Sequence, residues 1–282
     1  MHFYYPKSNL TLSNKLITIF ENKVTDIIHS DFIDVEPYIS TIEIVTAFAT
    51  ISSEIVGAKQ YIFMNRETKT ISFTIQLSYD IIPLIQIDYD TFHIRLVHEL
   101  YHCRDQLHLY NMIESFDSFF ALQKDDLWYN NLHHKMTTSV HLWSEYYAFR
   151  NAGIDKHFII LPLEKSLKDF KNHIEPLKHH SINELGAMSY KDFYESTFRT
   201  KLFYDLYNII EYIAYHDHLN TQVVFHNIST EEKDWIHILQ LFLQYMFINI
   251  HNPIEFRRLL QALPDIIFKL FIINNVTKFF EN

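Results

Sequence analysis

The chain has 282 residues, 48% hydrophobic and 16% aromatic, enough to bury a sizeable core in one large or two ordinary domains. A formal charge of −10 with scattered Lys and Arg excludes a phosphate-backbone binder, and three glycines leave no room for a glycine-cradled nucleotide loop. One cysteine, Cys103, excludes an internal disulfide and fits a reducing compartment.

In chain order, Leu12, Leu16, Ile19, Phe20, Val24, Ile27 and Ile28 recur at helical spacing and predict a helix from Leu10 to about Ser30. The segment before it, Met1 to Leu12, is polar and aromatic and does not read as a secretory signal. Tyr61–Met64 and Ile71–Leu77 are short β-branched and aromatic runs separated by residues 65–69, which predicts a hairpin. Ile71, Phe73, Ile75 and Leu77 alternate, so that strand is half buried. Ile81–Ile87 contains Pro83 and is expected as an edge strand.

Asp90 is the expected cap of a helix running from about Thr91 to Met112. On it Phe92, Leu96, Leu100, Cys103, Leu107 and Tyr110 form the core stripe, which leaves another face for His98 and His102. A second helix is expected from Asn131 to Ala152, stopped by Gly153. Further helices are expected over Pro162–Lys178 and Met188–His216, over Thr230–Ile250 behind a Ser229–Glu232 capping box, and after Pro253. The longest apolar run, Trp235–Ile250, is short and carries His237, Gln240, Gln244 and Asn249, so no membrane span is expected and a cytoplasmic location fits.

His98-Glu99-Leu100-Tyr101-His102 spells HExxH on a helix. The two histidines lie about 40° apart around the axis and about 6 Å along it, so both imidazoles can reach one ion. Glu99 sits to one side, where a carboxylate can take a proton from water without binding the metal itself. With 18 histidines the chain would show such a motif by chance in roughly one sequence of this composition in fifteen, so its setting on a capped amphipathic helix matters.

A catalytic zinc has three protein ligands and an open position. Glu145, 43 residues after His102 on the next helix, is the best candidate for the third. His108 competes, because His98, His102 and His108 have metzincin spacing, with Asp105 where that pattern has a glycine that turns the chain back. On a continuing helix His108 lies about 80° from His98 and about 120° from His102, too far round to share their ion. Asp105 could orient a ligand imidazole, and His141, one turn before Glu145, could polarise a substrate carbonyl as a second catalytic residue. His134 shares that face but lies about 16 Å further along the axis. A di-iron carboxylate site would need a second Glu-x-x-His, and the chain has only Glu99-x-x-His102.

At these residues, over about Thr91 to Ala152, the sequence resembles the gluzincin group of zinc metallopeptidases. The short spacing and Glu145-x-x-Ala148 are similar to the ImmA/IrrE-like peptidases. Thermolysin-like enzymes carry an Asp four residues after the ligand Glu, where this chain has Phe149. The resemblance implies His98, His102 and Glu145 as Zn2+ ligands, Glu99 as general base, and a peptide or protein substrate. It implies a zincin-like core over residues 1–152; with the periodicities above, the expected fold is α+β and mostly helical, with a small β-sheet in that core followed by a helical carboxyl-terminal region over 153–282. The alternative is a non-catalytic helical interaction or regulatory protein with a structural or vestigial metal site.

Overall fold

The computed structural model describes residues 1–5, 12–46, 58–65, 67–112, 131–154, 159–178 and 201–276. The fold is α+β and mostly helical, with one four-stranded mixed sheet. The chain divides into two compact units, Met1–Asn111 with Asn151–Phe158, and Met112–Arg150 with Ile159–Asn282.

In the first unit, β1 (His2–Tyr4) and β2 (Ile39–Val45) are parallel neighbours, and α1 (Asn14–Asp31) makes the crossover that parallel strands require. The start of α1 is later than the expected Leu10, because the Ser13 hydroxyl accepts from the Leu16 amide at 3.3 Å and sets the first turn. Neither β1 nor β2 is assigned by the periodicity argument above. β3 (Ala58–Asn65) and β4 (Thr70–Ser78) form the expected hairpin, and the sheet order is β1-β2-β4-β3. Its turn is an Asx turn: Asn65 Oδ1 accepts from the Glu67 and Thr68 amides at 2.9 and 3.1 Å. Lys69 completes it with a φ of 53°. Between β2 and β4 the register slips next to Ser40, whose hydroxyl donates to the Phe73 carbonyl at 2.9 Å.

The expected edge strand over Ile81–Ile87 is corrected: a 3-10 turn covers Tyr79–Ile81 and the short helix α2 covers Leu84–Ile87. Pro83 has no amide hydrogen to give to a ladder, but that loss costs nothing at a helix start, where the first amides are unpaired anyway. The long helix α3 (Tyr89–Met112) follows. Its cap is Asp88 in place of the expected Asp90, with Asp88 Oδ2 accepting from the Thr91 hydroxyl at 2.9 Å.

Phe20, Val24 and Ile28 of α1, Phe73 and Ile75 of β4, and Phe92, Leu96, Leu100 and Cys103 of α3 are all fully buried. The rings of Phe20 and Phe92 meet edge-on at 6.2 Å, so α1 and α3 share this core. Each such apolar side chain stabilises the unit by roughly 1.5–3 kcal/mol, and the stripe they form fixes the rotation of α3. Arg104 locks the same helix from outside. Its guanidinium donates to both Asp34 carboxylate oxygens at 2.9 and 2.6 Å and lies 4.4 Å from the centre of the Phe32 ring.

The second unit is helical in every described element. α4 (Asn131–Ala152) ends where Gly153 takes a φ of 80°, a left-handed conformation that a side chain would disfavour. α5 (Leu163–Ile174) packs on α6 (Phe203–His218), and α7 (Thr230–Ile248) packs on α8 (Pro253–Ile273). The expected capping box is present: the Glu232 amide donates to Ser229 Oγ at 3.2 Å while Glu232 Oε2 accepts from the Ser229 amide at 3.2 Å. Asn252 caps α8 with Pro253 in its first turn, also as expected. Residues 188–200 of the helix expected over Met188–His216 lie outside the described residues. No helix among the described residues is long and apolar enough to cross a membrane.

Candidate metal centre

With the apolar stripe of α3 turned into the core, His98 and His102 are left one turn apart on a less buried face. Their rings are nearly perpendicular, at 85°, with Nε2 of one 3.0 Å from Nε2 of the other. Two imidazole nitrogens on a tetrahedral zinc at about 2.0–2.1 Å stand about 3.3 Å apart, so the pair needs almost no rearrangement to share an ion. In the absence of an ion the same separation suits one N–H···N hydrogen bond, which requires one neutral donor and one acceptor tautomer.

Glu145 lies on α4 and is half-buried. The ligand-capable atoms of His98, His102 and Glu145 all lie within 4.8 Å of one another. Two imidazoles and one carboxylate are a donor set that suits a borderline-soft divalent cation such as zinc and leaves a fourth position open. These residues could therefore hold a metal ion.

Glu99 is 9% exposed and is not a member of this group. Its charge is felt by Cys103: burial first, and then the Glu99 carboxylate, push the Cys103 thiol well above its ordinary range. Cys103 is therefore a protonated core side chain with no nucleophilic character, as expected for its place on the stripe.

His108 is not in the group either. α3 continues unbroken to Met112, as the Asp at the metzincin glycine position leads one to expect, and a straight helix carries His108 round toward Asp34. Burial opposes the charge on Asp34, but hydrogen bonds and attraction from Arg104, with a smaller pull from His108, hold its carboxyl below the usual range. Asp105 is completely buried on α3. The His141 ring sits edge-on to Phe203, with centroids 6.5 Å apart. The side chain of His134 lies outside the described residues.

The group that anchors α4 is not among the candidates that the sequence motifs supply. Tyr146 and Arg150, one turn apart and directly after Glu145, converge on Asp217 of α6: the Tyr146 hydroxyl donates to Asp217 Oδ2 at 2.5 Å and Arg150 Nη1 donates to the Tyr146 oxygen at 2.6 Å. Gln240 and Gln244 of α7 each donate to Asp217 Oδ1 at 2.7 Å. Burial, then the Asp217 charge, raise the Tyr146 phenol well above its ordinary value, so it stays a donor. Its one trace in the sequence is the i, i+4 spacing of Tyr146 and Arg150, a spacing common on any helix.

Set beside models of known families, curated proteins and solved structures, the chain matches none of them.

Proposed function

We propose that the chain is a zinc-dependent metallopeptidase, with His98, His102 and Glu145 as the ligands and Glu99 as the general base. The observation that supports this most is the convergence of the two Nε2 atoms to 3.0 Å on the HExxH helix, with the Glu145 carboxylate within 4.8 Å of both. A zinc ion bound there supplies Lewis acidity, polarising a scissile carbonyl and making a water easier to deprotonate.

The remaining work falls to the protein's own side chains. Glu99, one residue after His98 and outside the ligand group, takes the proton of a water as the water's oxygen attacks the carbonyl carbon. The same carboxyl then returns that proton to the leaving amine as the C–N bond breaks. His141, on α4 one turn before Glu145, is proposed to donate a hydrogen bond to the developing oxyanion. No covalent intermediate is required, in keeping with the inert Cys103.

The direct test is metal analysis of the purified chain together with its His102→Ala variant. The proposal expects one zinc per chain, lost in the variant at unchanged helix content. A wild-type chain that takes up no zinc at neutral pH contradicts it.

A further inference from the structure

Glu145 is carried on a rigid helix, so whatever fixes the rotation of α4 about its axis fixes the Glu145 carboxylate. A side-chain tip stands roughly 6 Å from a helix axis, and a rotation of about 10° moves it by about 1 Å. A carboxylate oxygen on zinc tolerates only about 0.2 Å around its bond length. Apolar packing does not enforce that tolerance by itself. Trp143 meets Phe256, Tyr147 meets Phe247 and Phe149 meets Tyr207, with ring centroids 5.3, 5.8 and 6.0 Å apart, and such contacts hold α4 in the core without being directional. Hydrogen bonds weaken steeply off their line, and those to a charged group are the stronger ones.

Tyr146 and Arg150 supply the directional contacts. They stand about 100° and 140° round the axis from Glu145, and both face Asp217, with Arg150 Nη1 3.9 Å from the oxygen that accepts from Tyr146. At the end of α4 the His218 ring donates from Nδ1 to the Arg150 carbonyl at 2.8 Å. Asp217 cannot drift with its partners, because Gln240 and Gln244 of α7 hold its other oxygen. It is buried in the last turn of α6, where the helix dipole disfavours a carboxylate. Replacing such a network whole by apolar side chains is often neutral for stability, so stability alone does not account for it; what a satisfied buried charge adds is a single geometry.

We propose that Asp217 is a positioning residue for the metal site: by holding Tyr146 and Arg150 it sets the rotation of α4 and with it the place of the Glu145 carboxylate. The inference rests on the metal reading above and extends it to a carboxylate outside the ligand group.

The test is the affinity of the full chain for Zn2+, read by competition with a chelator, together with the visible spectrum of bound Co2+. The proteins are wild type, Asp217→Ala, Tyr146→Phe and the double variant, each checked for helix content by circular dichroism. Each single variant is expected to bind zinc about tenfold more weakly, the lower end of what loss of an outer-shell partner costs. The Co2+ spectrum should weaken in parallel, as water replaces a ligand oxygen held out of place. The double variant should bind about as weakly as Asp217→Ala alone, because without the carboxylate the phenol has nothing left to hold. Phe170→Leu loosens the same helical bundle where Phe170 meets Phe271, and it should keep the wild-type affinity and spectrum, since lowering the stability of a chain that stays folded does not change what the folded state binds. Tyr146→Phe keeps Asp217 and its two amide donors, so it decides the matter even where Asp217→Ala does not fold. Wild-type affinity and spectrum in Tyr146→Phe, losses that add in the double variant, or an equal loss in Phe170→Leu would each overturn the positioning role and leave the metal reading standing. A wild type that binds no zinc overturns both.

Discussion

Tyr146 and Asp217, 71 residues apart in sequence, share a 2.5 Å hydrogen bond in the interior of the helical unit. Asp217 is 7% exposed, and its two oxygens accept from Tyr146, Gln240 and Gln244, so three helices are fastened to one carboxylate. Because every partner is satisfied, the cost of burying that charge is offset where it stands.

Removing the carboxylate leaves the partners without it. Asp217→Ala is expected to destabilise the chain by about 3–5 kcal/mol, the range for breaking a buried charged pair from one side, since the Tyr146 hydroxyl and two amides lose their acceptor and Arg150 loses its ion pair together. Asp217→Asn, which keeps the shape and one acceptor oxygen, should cost less. Urea denaturation of the three proteins reads both values, and equal midpoints for wild type and Asp217→Ala would show that the network contributes nothing.

A second buried carboxylate makes stability depend on pH in the less familiar direction. Asp205 lies against His173 at 2.7 Å, and burial raises its carboxyl from 3.8 to about 6, with His173 opposing and Asp169 adding to the rise. The folded state therefore holds this proton more tightly than the unfolded chain. Its contribution to stability is complete below about 4 and is lost as pH rises through about 6. Asp205→Asn stays neutral, so its urea midpoint relative to wild type should climb between pH 4 and pH 7. A difference that stays flat across that range contradicts this assignment.

Much of this arrangement can be read in the sequence where one periodicity dominates. Phe92, Leu96, Leu100 and Cys103 recur at helical spacing and are buried together, and that placement in turn leaves His98 and His102 on one less buried face. Ile71, Phe73, Ile75 and Leu77 alternate and form one buried strand face. Ile81–Ile87 misleads because a short apolar run looks alike in a strand and in a buried turn, and only tertiary context uses Pro83 as a helix start. β2 was readable in principle from Ile42 and Ile44, but its isolation from any turn signal hid it. The Asp217 network was not legible at all, since no local rule pairs a tyrosine with an aspartate 71 residues away. Glu145 is legible as a candidate ligand from residue type and spacing alone, and the structure brings its carboxylate within 4.8 Å of the two imidazoles.

The choice of third ligand separates two architectures for the proposed site. Glu145→Ala should release metal, and His108→Ala should not, because α3 runs straight past His108. Imidazoles bind zinc only when neutral, so acidification should also release it in the wild type. Metal retention by Glu145→Ala with loss in His108→Ala would establish the metzincin-like arrangement instead.

The central claim is that Glu99 moves a proton without binding the metal. Glu99→Gln preserves volume and shape while removing the basic carboxylate, so zinc content and fold should be unchanged. The decisive measurement is the initial cleavage rate of a proteome-derived peptide library, followed by mass spectrometry, for zinc-loaded wild type and zinc-loaded Glu99→Gln. The account predicts a fall of about 10²-fold or more in the variant, the scale on which general-base catalysis contributes. Undiminished cleavage by the zinc-loaded variant would contradict it.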